Sequence, residues 1–209
     1  MARPPPTLRS ISLCEAPHLS DVHELSNLQE VQLVECDQVL NLKGLNKVRC
    51  VEIISCRGLH DISDLGSNQI VKLHDVRKVV DFSSLRTVPK VVLTYCNITN
   101  GYEVEGVQHL VLSNDGKIVD ISMLGNVSQL ELLHCPRINS LVGLKSIDTI
   151  EISDCPSISS YSELGNNRKC VFHLEFSPVV PEFQNIFPHN SYFHYEDKSN
   201  NALVFVRRF

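Results

Sequence analysis

Eight cysteines and nine histidines are the side chains in this sequence best suited to nucleophilic catalysis or metal binding. Five of the cysteines recur at one equivalent position, three residues after an apolar residue: Cys36, Cys56, Cys96, Cys135 and Cys155. Ala16, Val76 and Asp115 fill that position elsewhere, so it requires a small side chain rather than a thiol. A thiol there can also pair with backbone groups buried at a sharp turn. We therefore predict buried, reduced cysteines and no disulfide framework.

The histidines form no recognisable catalytic arrangement. His134 precedes Cys135, but adjacent residues of a strand point to opposite faces, so this thiol cannot readily serve the imidazole. Cys14, His18 and His23 lack a known zinc spacing and a fourth ligand. The sequence also contains no glycine-rich phosphate loop and no nucleophile elbow. It predicts a protein that is not an enzyme and uses no cofactor or metal.

Four aspartates share a second repeated position, five residues after the cysteine position: Asp21, Asp61, Asp81 and Asp120. An aspartate in a turn accepts hydrogen bonds from nearby backbone amides. A ladder of metal sites is the alternative, but each aspartate lacks companion carboxylates nearby in the sequence. We therefore predict that these side chains cap turns.

The elements that position these residues follow from a short, regular period. Apolar anchors lie at steps of twenty residues, with one step of nineteen: Leu13, Leu33, Ile53, Leu73, Leu93, Leu112, Leu132, Ile152 and Phe172. A fixed short period is typical of a solenoid, in which each coil contacts only its neighbours. Because a single coil cannot bury its own apolar residues, stability must come from stacking.

Each coil contains two kinds of periodicity. The segment from Glu30 to Val34 alternates between apolar and polar residues, which predicts a strand. Apolar residues then come every third residue, at Val39, Leu42 and Leu45. This spacing predicts a 3₁₀-like or extended return path, since too few residues remain for a full α-helix.

These residues resemble a leucine-rich repeat. The signature L-x-x-L-x-L-x-x-N/C is met at Leu28–Cys36, Val48–Cys56, Val127–Cys135 and Ile147–Cys155. The segment Cys56-Arg-Gly-Leu-His-Asp61 is similar to the short, cysteine-type variant, and the Asp-Ile-Ser turns are similar to those of internalin-like repeats. The resemblance implies a right-handed, curved coil with a parallel β-sheet on its concave face and short 3₁₀ or extended convex segments.

The overall composition restricts partners and compartment. The 209 residues are 43% hydrophobic and 21% charged, with a net charge of -5. This mild, interspersed charge predicts neither a nucleic-acid partner nor binding to an anionic membrane. No apolar run reaches the roughly 18 residues of a membrane helix. The first residues lack the hydrophobic segment of a signal peptide, so we expect a cytoplasmic protein.

Three segments are expected along the chain. Residues 1–7 form a proline-rich lead-in, for which an SH3 ligand is the alternative interpretation. Residues 8–175 form the solenoid of eight to nine coils. Residues 176–209 form an aromatic-rich C-terminal cap, with a final strand at Asn201–Val206. The first coil has no evident cap, so it either self-associates or is covered by residues 1–7.

The fifth coil interrupts the rhythm because it is one residue short after Cys96. Its segment Asn97–Tyr102 contains Gly101 and two asparagines, which predict a turn of altered shape on the convex side. A tolerated deletion is the simplest explanation.

A candidate binding surface lies on the outward positions of the predicted sheet. Apolar residues there (Ile54, Ile70, Val92, Val111 and Leu133) are more numerous than solvation alone favours, although strand propensity is an alternative cause. Mixed with polar side chains, they are typical of a protein interface. The predicted contact residues are Ile54, Ile70, Lys72, His74, Val92, Tyr95, Val111, Glu131, Leu133 and Glu151.

The sequence thus predicts a non-enzymatic scaffold that binds a protein partner through its concave sheet. Two alternatives remain open. One is a structural component that self-assembles through the end of the solenoid. The other is the recognition subunit of a ubiquitin ligase or effector complex.

Overall fold

The computed structural model describes residues 4, 5, 7–166, 169–175, 192, 193 and 202–208. Nine parallel strands follow one another along the chain: β1 (Ser10–Cys14), β2 (Glu30–Val34), β3 (Cys50–Ile54), β4 (Ile70–His74), β5 (Lys90–Thr94), β6 (His109–Ser113), β7 (Gln129–Leu133), β8 (Thr149–Ser153) and β9 (Lys169–Glu175). Each strand pairs with the next in the same order along one sheet.

The register of the sheet stacks equivalent residues of successive coils. Leu33 pairs with Ile53, and Ile53 pairs with Leu73, one full period apart. Across the short coil the register shifts with the sequence, so Leu93 pairs with Leu112. The predicted stacking of the apolar anchors is therefore confirmed.

Short 3₁₀ helices form the return path of most coils: η1 (His23–Leu25), η2 (Leu45–Lys47), η3 (Ser63–Ser67), η4 (Ser83–Thr87), η5 (Gly101–Val104), η6 (Ser122–Asn126) and η7 (Ser162–Asn166). The Leu65 amide donates to the Ile62 carbonyl at 3.0 Å, and the Leu85 amide to the Phe82 carbonyl at 2.9 Å. These are i to i−3 bonds, as the three-residue spacing of apolar residues predicts. None of the helices in the described part of the chain is long and apolar enough to cross a membrane.

The core is one continuous stack between the sheet and the return path. Leu33, Ile53, Leu73 and Leu93 are all 0% exposed. Burying such side chains stabilises the fold by roughly 1.5–3 kcal/mol each. In the first coil Ile11, Leu13 and Ala16 are only partly buried, because they pack against a neighbour on one side.

The thiols at the cysteine position form a ladder of hydrogen bonds to backbone carbonyls inside the stack of coils. The Cys96 thiol donates to the Leu73 carbonyl at 3.1 Å, and the Cys56 thiol donates to the Leu33 carbonyl at 3.7 Å. Burial raises the pKa of Cys56 to about 11 and that of Cys96 to about 12. All eight cysteines are free thiols; six are buried as predicted, whereas Cys14 is exposed and Cys50 is only partly buried.

The repeated aspartates cap the start of the return path, also as predicted. The carboxylate of Asp61 accepts the Ser63 amide at 3.0 Å, and that of Asp120 accepts the Ser122 amide at 2.9 Å. This backbone hydrogen bond lowers the pKa of Asp61. Asp21 and Asp81 make the same contact with the second residue that follows them.

The short fifth coil is fitted to its neighbour by a buried carboxylate. Asp115, which replaces cysteine in the sixth coil, is only 1% exposed. It accepts the Ile98 amide of the shortened segment at 3.0 Å and the Lys117 amide of its own turn at 3.0 Å. The one-residue deletion in the fifth coil and the replacement of cysteine by Asp115 in the sixth coil therefore belong to one local arrangement.

Two further strands lie beyond β9. The strand β11 (Ala202–Arg208) pairs antiparallel with β9, and β10 (Tyr192–Phe193) pairs antiparallel with β11. The predicted final strand corresponds to β11. The cap itself remains a prediction, because four of its aromatic residues lie outside the described part of the chain: Phe176, Phe183, Phe187 and Tyr195.

Candidate protein-binding surface

The sheet face is defined here by the first, third and fifth residues of β1 to β8 and by the equivalent positions of β9. Its central column lies at the third position and contains Ser12, Gln32, Glu52, Lys72, Val92, Val111, Glu131, Glu151 and Val171. The strand backbone alternates, so these side chains point away from the core.

The structure brings the predicted contact residues onto this one face. Five lie in the central column (Lys72, Val92, Val111, Glu131 and Glu151), Ile70 lies at a first position, and Ile54, His74 and Leu133 lie at fifth positions. Tyr95 lies one residue past β5 and is 50% exposed.

The apolar residues among the predicted contact residues are less exposed to solvent than the sequence suggested. Ile54, Ile70, Val92 and Leu133 are half-buried rather than fully exposed. Val111 is only 8% exposed, since it packs between Val92 and Glu131 of the adjacent strands. Val111 therefore contributes more to packing than to a contact surface.

A polar ladder occupies the first four strands of the central column. The Ser12 hydroxyl donates to Oε1 of Gln32 at 2.6 Å, and Nε2 of Gln32 donates to Oε2 of Glu52 at 3.1 Å. Glu52 also faces Nζ of Lys72 at 3.7 Å and Nε2 of His74 at 3.5 Å. The largest influence on His74 is burial, which lowers its pKa.

A second polar group lies beyond the apolar centre. Nε2 of His109 lies 2.9 Å from Oε1 of Glu131, and Nδ1 of His134 lies 3.2 Å from Oδ2 of Asp154. Val92 and Val111 separate this group from the polar ladder. Along the central column, Val92 and Val111 thus lie between polar side chains, and Lys90, Thr94, His109 and Ser113 flank them at the outer positions of the same two strands.

Sequence reasoning missed a column of left-handed residues beside the sheet face. The residue before each cysteine position has a φ between 49° and 54°: Glu15, Glu35, Ser55, Asp75, Tyr95, Asn114, His134 and Asp154. This conformation turns the chain out of the strand, and the Glu35 amide then donates to the Ile54 carbonyl at 2.9 Å. We name these eight residues the left-handed column.

A depression of about 510 Å³ lies where the left-handed column meets β3, β4 and β5. Its walls include Ile54, His74, Thr94 and Tyr95, with Glu52, Ser55, Asp75 and Arg77 completing the lining. We name it the Tyr95 pocket. Ile54 and Tyr95, two of the predicted contact residues, therefore line one open depression together with the carboxylates of Glu52 and Asp75.

A second depression of about 470 Å³ lies over the first strands and is lined mainly by polar side chains, among them Glu30, Gln32, Arg49 and Lys72. Within the described residues, no three His, Cys, Asp or Glu side chains are grouped so that they could hold a metal ion.

The comparisons with known proteins bear on the fold. No family model matches the chain, and no curated protein sequence matches it. Among solved structures, the chain is similar to the crystal structure of an internalin (inlF) from Listeria monocytogenes str. 4b F2365, with a TM-score of 0.50 and 14% sequence identity. The fold is a leucine-rich-repeat solenoid.

The match covers 81% of this chain and 61% of the internalin chain, so this chain spans less than two thirds of that structure. At this identity the likeness shows the fold alone. The assignment to the cysteine-type variant remains a prediction, supported by the thiol ladder described above.

Proposed function

We propose that this solenoid is a non-enzymatic scaffold that binds a protein partner through its concave sheet face. The observation that carries the proposal is the set of half-buried apolar residues on that face (Ile54, Ile70, Val92 and Leu133), with Val92 lying between polar side chains of the central column. Partly exposed apolar residues with a polar surround are the usual composition of a protein interface.

The dimensions of the sheet support this proposal. Nine strands at roughly 4.8 Å spacing span about 40 Å. A patch of that length is large enough for a standard interface, which buries about 800 Å² on each partner.

The chemistry of the buried thiols supports a non-catalytic role. A thiolate is the reactive form of cysteine, and burial disfavours it. Cys56 and Cys96 are both 0% exposed and have raised pKa values, so they serve packing rather than nucleophilic attack.

The same ladder supports a reducing, cytoplasmic location. Each thiol in the ladder acts as a hydrogen-bond donor, which requires the reduced state. Protein isolated with an alkylating trap and then denatured should show all eight cysteines alkylated, and recovery of a native disulfide would contradict this location.

The test of the proposed function is the substitution Val92→Glu. We expect it to reduce capture of the partner at least about tenfold, because it places a charge among the apolar residues of the interface. The measurement is quantitative mass spectrometry of proteins retained from an extract of the source cells.

Val142→Glu is the matched control, since Val142 is 58% exposed and lies on the return path rather than on the sheet. It should leave capture unchanged. Circular dichroism must show both variants folded. Equal capture by the wild type and by Val92→Glu would exclude the sheet face as the binding site.

Self-assembly is a second candidate, favoured by one observation. In the described sheet, β1 is a terminal strand, and its Ile11 and Leu13 are only partly buried. An edge strand offers backbone groups for pairing with another chain. Light scattering over a range of concentrations tests this candidate: a rising mass supports it, and a constant monomer mass excludes it.

A further inference from the structure

We propose that a second copy of this chain pairs with the edge of β1, antiparallel, with Ser12 of one copy opposite Ser12 of the other. This inference rests on the self-assembly candidate given under the proposed function. It goes further by naming the partner, the direction of the two strands and their register. Pairing in the plane of the sheet leaves the sheet face of both copies free to bind a protein partner.

The backbone of β1 offers one hydrogen-bonding edge to a new strand. Within the described residues, β1 pairs with β2 alone and stands at the end of the sheet. The Arg9 carbonyl accepts the Glu30 amide at 3.1 Å, and the Glu15 amide donates to β2 at 2.9 Å, so odd-numbered residues face β2. Backbone groups alternate between the two edges of a strand, so the even-numbered residues point their groups away from β2. These residues are Ser10, Ser12 and Cys14.

The sequence of β1 lacks the residues that usually protect an exposed edge. Its five residues, Ser-Ile-Ser-Leu-Cys, include no charged side chain and no proline, both of which discourage the addition of another strand. Among the eight other parallel strands, only β6 lacks lysine, arginine, aspartate and glutamate, and β6 is paired on both sides. The strand at the end of the sheet is therefore one that can accept a partner strand.

The open end of the apolar core lies beside the same edge. Ile11, Leu13 and Ala16 are only partly buried, and Leu8 is 37% exposed. Antiparallel pairing about Ser12 places Ile11 of each copy opposite Leu13 of the other, so apolar side chains meet across the twofold axis. The pair therefore covers apolar surface as well as backbone groups.

The other end of the parallel sheet already carries an antiparallel strand. There β11 pairs with β9, the last parallel strand, from Ala202 opposite Glu175 to Val206 opposite Val171. That pairing is five residues long, which is also the length of β1. An edge of this solenoid can therefore accept an antiparallel strand as long as a second β1.

Charges at the two ends of β1 select the antiparallel direction. Arg9 comes immediately before the strand and Glu15 immediately after it, and both are exposed. Antiparallel pairing about Ser12 brings Arg9 of each copy to the Glu15 end of the other, twice by symmetry. Parallel pairing instead places like charges side by side at both ends. The neighbouring carboxylates, Glu30 near Arg9 and Glu35 near Glu15, belong to the second coil and lie further from the contact.

The same residues select the register. A shift of two residues places either Arg9 opposite Leu13 or Glu15 opposite Ile11, which sets a charge against an apolar side chain. A shift of one residue sets outward-facing backbone groups against residues whose groups face β2, so it breaks the ladder. Pairing of Ser12 with Ser12 is therefore the register in which charges, apolar side chains and backbone groups all match.

Sedimentation velocity of the full chain, from about 1 µM to about 200 µM, tests for the second copy. We expect the mass to rise from one chain to a plateau at two chains, because a twofold pair is closed. Ser12→Pro should remain a monomer over the whole range. Its amide faces away from β2, so proline removes a hydrogen bond only from the contact between copies. Circular dichroism must show this variant folded.

Charge reversal tests the direction of the strands without altering β1 itself. Arg9→Glu and Glu15→Arg should each raise the dissociation constant of the dimer about fivefold to tenfold, because each sets like charges together twice. The double variant should return to within about threefold of the wild type. Arg137→Glu is the matched control, since Arg137 is exposed in the seventh coil and the change of charge is the same. It should leave the dimer unchanged.

Cross-linking tests the register, because Cys14 is an exposed thiol. The proposed register pairs Ser10 with Cys14 of the second copy, at a Cα separation of about 5.5 Å, which a disulfide can bridge. Mild oxidation of Ser10→Cys should therefore give a covalent dimer on a non-reducing gel. The wild type and the double variant Ser10→Cys, Cys14→Ser should stay unlinked, since their equivalent thiols lie about four residues, or roughly 13 Å, apart.

The outcomes separate this inference from the proposed function. A constant monomer mass, as when residues of the same chain cover β1, overturns it together with self-assembly, and the sheet-face proposal still stands or falls by Val92→Glu. A mass that grows past two chains supports self-assembly but overturns the closed pair. A dimer that persists in folded Ser12→Pro overturns β1 as the contact. No recovery in the charge double variant overturns the direction, and a cross-link in the wild type, or none in Ser10→Cys, overturns the register.

Discussion

The left-handed column places charged and aromatic side chains where the backbone favours glycine or asparagine. A non-glycine residue in this region costs about 1–2 kcal/mol, while glycine loses about 0.5–1 kcal/mol more entropy on folding. Exchanging one of these residues for glycine should therefore stabilise the fold slightly.

Glu35→Gly tests this balance, because Glu35 has a φ of 53°. We expect a gain of about 0.5–1 kcal/mol in the free energy of unfolding, measured by urea denaturation. Glu30→Gly, in the strand of the same coil, is the control and should destabilise the protein by a similar amount. A loss of stability in both variants would contradict the left-handed assignment.

The aspartate caps predict a pH dependence at single residues. The hydrogen bond from the Ser63 amide lowers the pKa of Asp61 in the folded protein. A lowered pKa means that the carboxylate stabilises the fold above its unfolded pKa of about 3.9. That contribution is lost as the pH falls through the lowered folded value.

We therefore expect Asp61→Ala to lower the free energy of unfolding by at most about 1 kcal/mol at pH 7, given its exposure to solvent, and by progressively less as the pH falls through the lowered folded pKa. Asp61→Asn should keep most of the stability at pH 7, as Asn41 fills the same position and accepts the Lys43 amide at 3.3 Å. Chemical denaturation at several pH values measures both. A constant cost of Asp61→Ala across the pH range would refute the cap.

At the scale of the structural element, the return path depends on close backbone approach between coils. Gly143 has a φ of 93°, and a Cβ there would lie 2.3 Å from the Ser122 carbonyl oxygen. Both the positive φ of Gly143 and its close approach to Ser122 exclude any residue with a Cβ atom at this position.

Gly143→Ala should therefore lower the free energy of unfolding by about 2 kcal/mol or more. Gly116→Ala is the matched control, because a Cβ at Gly116 meets no atom within 4 Å. It should change stability by less than about 0.5 kcal/mol. Similar losses in the two variants, measured by thermal and urea denaturation, would show that the coils do not approach each other closely at Gly143.

At the scale of the whole molecule, stability is a sum of contacts between neighbouring coils. Leu93 lies in the fifth strand with neighbours on both sides and is fully buried, whereas Leu13 lies in the terminal strand and is only partly buried. Replacing leucine by alanine should thus lower the free energy of unfolding by different amounts in central and terminal coils.

Leu93→Ala should cost about 2–5 kcal/mol, and Leu13→Ala less than half as much. Hydrogen exchange should show the effect of Leu13→Ala concentrated in the first coils and that of Leu93→Ala spread across the centre. Equal costs at the two positions would argue against a stack in which only neighbouring coils interact.

The stacking itself could be predicted from sequence because it depends on residue type and period alone. Leu33 over Ile53 and the cap at Asp61 both follow from fixed spacing. The left-handed column was missed because its residues, such as Glu35, Ser55 and Tyr95, share no type, and none is glycine. Predicting the Tyr95 pocket would require knowing the relative positions of β3, β4 and β5. Predicting the low exposure of Val111 would require knowing how the side chains of the adjacent strands pack against it.

The carboxylate of Asp115 has a consequence for how this array can change over generations. It joins the nineteen-residue coil to the next one by accepting the Ile98 amide, so separating these two units would remove a buried hydrogen bond. Duplicating a coil elsewhere would lengthen the molecule without penalty to this joint. An insertion that displaced Ile98 would leave the buried carboxylate of Asp115 with only the Lys117 and Ile118 amides of its own turn, so copying of coils is expected to be tolerated better on either side of that joint.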